Sequence, residues 1–325
     1  FVHVYGLAYI SGPVLQVSQD IVINLLGRAS VPLLSAVSGY LAVLTLTGTP
    51  LLRIADKKFK SLVIPMAVWN VLAILLGIAV AVTTGAHISF YEEIQNKSIV
   101  EILIGNIFAI NYEGAQNSHN FLRDVFVCYI LFPLIHRLTR INGMATIGIV
   151  ATIIYTVGTE PIIYRAQILL FFTFGVVAAS NNIQFKLIVK FWKITLPFFL
   201  VIGIAQISPN LMEVLEDKVF DYDLFKRIIV SHMMLCVCYF IIARMPRYLL
   251  NALNDITFIA FLSHNIFFAL VWAPFLNLIE GGWTEIYFVY FFSAPVLLWF
   301  AAYAEKLLAS RSPIFIQRLL FGRKY

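Results

Sequence analysis

An all-α protein that crosses a membrane many times is what this sequence predicts, and three observations predict it. Hydrophobic residues make up 61 % of the chain and charged residues only 12 %, with a mean hydropathy of +0.88. A water-soluble chain carries about 25 % charged residues; half that share cannot cover a globule of this length, so the solvent must be lipid. Apolar runs recur at close to the ~20 residues a helix needs to cross the hydrocarbon core. Period-2 alternation is absent, which argues against a membrane β-barrel.

The runs occupy residues 1–17, 21–48, 62–84, 119–137, 142–158, 164–181, 187–207, 226–243, 256–279 and 284–306, about ten helices of the length a bilayer demands. The chain opens on Phe1, not Met, with no cleavable signal pattern. The expectation is a sequence that starts within a longer protein, its first helix truncated at the start. Neither an internal repeat nor a second soluble domain breaks the series, so one transmembrane domain is expected over 1–325.

What separates the runs alternates in sign. Asp20 follows the first, and Arg53, Lys57, Lys58 and Lys60 follow the second. After the third come Glu92, Glu93, Glu101 and Glu113; after the fourth, Arg137 and Arg140; after the fifth, Glu160. Lys186, Lys190 and Lys193 flank the start of the seventh, and Glu213, Glu216, Asp217, Asp221 and Asp223 follow it. Arg244 and Arg247 come next, then Glu280 and Glu285, then a tail with Lys306, Arg311, Arg318, Arg323 and Lys324. Lys and Arg concentrate in short cytoplasmic loops, so both chain ends are expected in the cytoplasm. The net charge of +6 is thereby a topology signal and a contact with anionic lipid, not a nucleic-acid footprint. Two outer segments, 85–118 and 208–225, exceed the length of simple connectors. The first holds SIVEILIGNIFAI, too short to span and suited to an interfacial or re-entrant helix. Cys128, Cys236 and Cys238 all lie in apolar runs, which argues against a disulfide framework or a zinc site.

Ionisable groups within a span cost roughly 2.5–3.5 kcal/mol on insertion scales and face a cavity or a partner. The runs carry His3, Arg28, the group His119/Arg123/Asp124, Arg165, His232 and His264. His3, in FVHVYG, has no acidic neighbour in sequence and reads equally as a functional base or a hydrogen-bonded structural residue. Arg28, Ser35 and Gly39 share a helix face, with Pro32 between them. Ser35 and Gly39 form either a small-residue packing face or a substrate groove. His119 and Arg123 share a face, with Asp124 turned by about 100°. The Arg123–Asp124 pair is either a buried clamp between helices or the lining of a pocket. His232 and Arg165 read as structural.

Five segments, in order, resemble the acyltransferase-3 family of bacterial integral-membrane O-acyltransferases, which acylate sugars of surface polysaccharides. FVHVYG is similar to the first-helix segment that carries the family's histidine, and GRASVPLLSAVSGYLAV to its Val-Pro and Ser-Gly-aromatic second helix. KKFKSLVIPMAVWN resembles the basic run, Ile-Pro and Trp-Asn of its third helix. NFLRDVFVCYILFPLI is similar to a Trp-Phe-Leu-Arg-Asp helix of one branch, and ITFIAFLSHNIFF to its late histidine segment. Two departures stand out: Asn120 replaces the tryptophan before Phe121, and lysines replace arginines after the second helix, which keeps charge but loses fork geometry.

The resemblance implies His3, Arg123 and Asp124 as catalytic residues, and Arg28, Ser38, Tyr40, His119 and His264 as substrate-binding residues. Arg53, Lys57, Lys58 and Lys60 would hold the phosphates of acetyl-CoA or another acyl-CoA donor, with no metal. The acceptor would be a glycan or lipid-linked saccharide, the other partner membrane lipid, and the location a bacterial cytoplasmic (inner) membrane. A histidine suits the chemistry, since acyl transfer from a thioester to a hydroxyl needs a base or an acyl carrier. A developing oxyanion needs a donor, which Arg123 or Arg28 can supply. The same spans with internal charges would also suit an exporter or flippase of glycans or small metabolites. A purely structural scaffold would leave His3, Arg28 and Arg123 without explanation.

Overall fold

The computed structural model describes residues 17, 20–84, 97–110, 117–208, 211, 213–215, 221–280 and 286–323. It is helical throughout, with no strand among the described residues. In hydrocarbon every backbone N–H and C=O must find its partner within its own segment, and a helix does this without any neighbour.

The first described helix, α1, runs Asp20–Leu46, entering through a π turn and a 3-10 turn (Leu26–Ala29) before the regular helix from Ser30. It stops at Thr47, and Gly48 takes φ +78°, a conformation that costs glycine little. Pro50 then caps α2, residues 51–84, where the sequence predicts a loop up to residue 61. Its opening stretch, Leu51–Lys58, buries Ile54 and turns Arg53, Asp56 and Lys57 outward. The basic loop is thus an amphipathic extension of the span, as expected at a membrane surface.

SIVEILIGNIFAI forms α3, residues 99–107, two joined short turns. Ser98 and Glu101 close a capping box at its start, and the Ser98 hydroxyl and backbone amide hold the Glu101 carboxyl below its ordinary value. The segment folds back onto the bundle, with Gly105 and Asn106 buried.

A 3-10 turn, Asn117–His119, leads into α4 (Asn120–Ile141), followed by α5 (Gly143–Thr156) and α6 (Ala166–Ser180). The apolar run at 187–207 divides into α7 (Phe185–Val189) and α8 (Trp192–Gln206), since its lysine-bearing start lies apart as a short surface turn. Then come α9 (Tyr222–Ile242), α10 (Arg247–Glu280), α11 (Ile286–Arg311) and an unanticipated α12 (Ile314–Phe321). Four stretches are long and apolar enough to cross a membrane: Asp20–Leu46, Leu51–Ala79, Tyr222–Ile242 and Val289–Arg311. Shorter apolar helices at Gly143–Thr156, Ala166–Ser180, Trp192–Gln206 and Ile256–Phe268 accompany them, making a polytopic membrane protein. The N-terminal run and His3 lie outside the described residues.

The most extensive helix contact joins α1 to α6, and two glycines make it possible. A Cβ on Gly39 would sit 2.0 Å from the Phe172 carbonyl oxygen, and one on Gly175 only 1.9 Å from that of Ala36. Ser35 is fully buried and donates its hydroxyl to its own helix at Val31. Of the alternatives for Ser35 and Gly39, the packing face is the one realised. α4 completes the core beside this pair, with Tyr129 edge-on to Phe172 at 5.5 Å between ring centroids. α12 docks on α2: Trp69 Nε1 donates to the Leu320 carbonyl at 2.9 Å, and Phe321 packs on the Trp69 ring.

Candidate functional site

Asn120 begins α4 among buried residues, so the residues around it must settle their charges with neighbouring backbone instead of water. Arg123 does so through three main-chain carbonyls. Its Nη1 donates to the Ala109 carbonyl (3.1 Å), and its Nη2 to those of Pro161 and Ile162 (3.0 and 2.5 Å). The guanidinium also lies 4.4 Å from the centre of the Tyr164 ring. Asp124, fully buried, accepts from the backbone N–H of Arg165 (3.1 Å) and of Tyr164 (3.4 Å), and stands 3.4 Å from Arg123. The pair fastens the 109–110 and 161–165 segments to one turn of α4. Of the two arrangements open to it, it adopts the clamp.

His119, one turn earlier, is also fully buried. Its Nδ1 faces the Asn70 side-chain oxygen at 3.0 Å and its Nε2 the Leu262 carbonyl at 3.1 Å. The Asn70 amide is oriented by its own donation to the Ile107 carbonyl at 2.9 Å. Each imidazole nitrogen therefore meets an acceptor; a neutral ring donates to one of them and an imidazolium to both. His264 belongs to the same neighbourhood. The Phe261 ring lies 6.2 Å from the His119 ring and 5.7 Å from that of His264, so both histidines neighbour the same aromatic ring. His264 Nδ1 meets the Phe261 carbonyl at 2.5 Å, and Asn265 donates to the Ser118 hydroxyl at 2.8 Å. These bonds join α10, α2, α3 and the entrance of α4 into one polar knot within an apolar bundle.

A second cluster lies where α1, α2, α4 and α7 meet. Lys58 is the one member of the Arg53/Lys57/Lys58/Lys60 set that turns inward, its Nζ resting 3.7 Å from the centre of the Tyr129 ring. Tyr129 in turn donates to the Ser38 carbonyl at 3.5 Å, and Tyr40 stacks at 4.5 Å on Phe185 of α7. Ser38 thus shares a neighbourhood with Lys58, and Tyr40 meets α7, neither of them standing with His119 and His264. Arg53 and Lys57 are exposed, and Lys60 pairs with Asp56 at 2.7 Å on the surface. Arg28 stands apart from both clusters, exposed on the Leu26–Ala29 turn.

Asn70 enters the sequence analysis only as the end of the Trp-Asn motif, without a role, and Tyr129 and Tyr164 escape it, since tyrosines resemble any core aromatic until their partners are known. Cys128, Cys236 and Cys238 are all unbridged. Among the described residues, His, Cys, Asp and Glu side chains nowhere gather in threes about a common point.

A family model described as an acyltransferase domain matches residues 1–304. No curated protein and no solved structure gives a match.

Proposed function

The chain belongs to the acyltransferase-3 family and is a membrane acyltransferase; from that premise we propose that it moves an acetyl or other short acyl group from acyl-CoA to a sugar hydroxyl of a cell-surface or lipid-linked glycan, in a bacterial cytoplasmic membrane. The match over 1–304 carries this reading, because it embraces every segment on which the polar clusters lie.

In the proposed reaction His3 removes the proton of the sugar hydroxyl, the freed oxygen attacks the thioester carbonyl, and the carbon–sulfur bond breaks. Coenzyme A leaves as its thiol, taking up the proton. In the carrier variant, His3 holds the acyl group between two such steps. Lys58 is the basic residue best placed for the donor, since it stands at the cytoplasmic end by the charge rule and reaches into the bundle over Tyr129, which bonds Ser38. The knot of His119, Asn70 and His264 lies beyond it, with Arg123 and Asp124 holding the segments that frame it.

Calorimetry with acetyl-CoA on the detergent-purified full-length protein, followed by transfer assays, tests the proposal. Donor binding is expected to survive His3→Ala while transfer falls by at least ~100-fold, the usual share of a positioned base. Lys58→Gln is expected to weaken donor binding about tenfold and Lys60→Gln to leave it unchanged. A folded protein that binds no acyl-CoA would point to export, and an active His3→Ala enzyme would remove the mechanism.

A further inference from the structure

The expected outer ends of α1, α6 and α9 gather charge that acyl-donor binding does not use. α9 opens at Asp221, whose side chain caps the Leu224 N–H at 2.9 Å and accepts the Tyr155 hydroxyl. At Asp223 two cationic side chains converge, and a third is borne by the turn packed against the same helix. Arg227 Nε donates to Oδ2 at 2.6 Å, and Lys226 Nζ lies 3.9 Å from Oδ1. Arg28 is carried by the Leu26–Ala29 turn, which packs against α9. Gln167 of α6 adds a donation to Oδ2 at 3.3 Å. Lys226 and Arg227 are 7 % and 13 % exposed, Asp223 41 %.

Two physical facts single out this island. Cations are disfavoured in segments that must be translocated, so loops on that side are depleted in them; topology therefore does not account for three here, beside loops in which Asp and Glu outnumber Lys and Arg. Arg28, moreover, is an exposed residue that makes no side-chain hydrogen bond among the described residues, although a guanidinium offers five donors in a fork that fits carboxylate and phosphate.

We propose that this island binds an anionic group, a carboxylate or a phosphate, on the saccharide acceptor, with Arg28 as the open arm of the site and Arg227 and Lys226 as its fixed positive floor. The identity of the ligand as acceptor rests on the acyl-transfer reading; the preference for an anion rests on the charges alone. Arg227 is held by Asp223 and Gln167 steadies that carboxylate, so the floor is rigid before ligand arrives. The acceptor then approaches α6 two residues beyond Arg165, whose amide is fixed by Asp124.

The test uses the full-length protein in phosphatidylcholine nanodiscs, which bring no anionic lipid. Calorimetry would compare a glucuronate-containing hexasaccharide, glucose 1-phosphate and a neutral N-acetylglucosamine hexasaccharide. At least one anionic probe is expected to bind, at least ~10-fold more tightly than the neutral one and more weakly as salt rises. Arg28→Gln is expected to weaken that binding about tenfold and Arg28→Lys by less, at an unchanged melting temperature. Binding of only the carboxylate or only the phosphate probe would identify which anion is read. Equal affinity for the neutral probe, full affinity in Arg28→Gln, or no binding of either anionic probe would overturn the proposal. Acetyl-CoA titrated into the same samples separates the two readings: loss of donor binding with anion binding intact strikes the acyl-transfer function, and the reverse strikes the anion site.

Discussion

Arg123 directs its guanidinium at three backbone carbonyls from two separate segments, and Asp124 receives two backbone amides from one of them. Each residue satisfies main-chain groups that would otherwise face hydrocarbon unpaired. Removing one member leaves a buried charge and several orphaned backbone groups, a loss of about 3–5 kcal/mol for a buried pair. Arg123→Ala is therefore expected to lower the melting temperature sharply in detergent. Arg123→Lys is expected to recover only part of it, because an ammonium cannot reach three carbonyls with a planar fork. Thermal unfolding of the two variants beside transfer assays checks this. A Lys variant that melts like the wild type but transfers no acyl group would instead place Arg123 in the chemistry.

At the scale of elements, the crossing of α1 and α6 depends on absent side chains. Gly39 and Gly175 bring backbone to backbone from opposite sides of the crossing, and a methyl group at either would stand about 2 Å from a carbonyl oxygen. Gly39→Ala or Gly175→Ala must push two helices apart, at an expected ~1–3 kcal/mol and often more. Gly203 in α8 provides the contrast, since its added Cβ would meet only the Leu25 side chain at 3.7 Å. Gly203→Ala is expected to melt at or slightly above the wild-type temperature, because alanine favours the helix by about 1 kcal/mol. Melting curves of the three variants in one detergent decide the matter; equal losses at all three positions would contradict the close-approach account. Because Ser38 adjoins Gly39 and bonds Tyr129, the two damaging variants are also expected to disturb the contact between Lys58 and Tyr129.

For the whole molecule, orientation follows from charge. The charge rule expects Lys186 on the cytoplasmic side and Glu213 on the opposite side, and a single cysteine at each exposed position should separate them. In intact cells, with the native cysteines replaced, Glu213→Cys is expected to react with a membrane-impermeant thiol reagent and Lys186→Cys only after permeabilisation. The opposite pattern would invert the molecule and place the Lys58 cluster on the outside, away from cytosolic acyl-CoA. The same inversion would bring the Arg28 island to the cytoplasm, so this labelling bears on both proposed sites.

Composition and charge order determined by themselves that the chain is helical, membrane-embedded and many times folded, because bilayer thickness and the cost of unpaired backbone leave few alternatives. The order of short motifs was enough to reach the family, and the charges within apolar runs identified Arg123, Asp124, His119 and His264 as residues with partners to find. Which partners they have was decided only by tertiary structure. Arg123 and Asp124 bind backbone atoms from residues 109 and 161–165, and main-chain carbonyls and amides carry no sequence signature. Lys58 separates from Arg53, Lys57 and Lys60 because a helix turns each residue by about 100°, and only the packing of α2 on α4 says which direction is inward. The turn that bears Arg28 meets the helix of Lys226 and Arg227 across nearly 200 residues for the same reason: their proximity is created by helices packing side by side, and spacing along the chain holds no record of it.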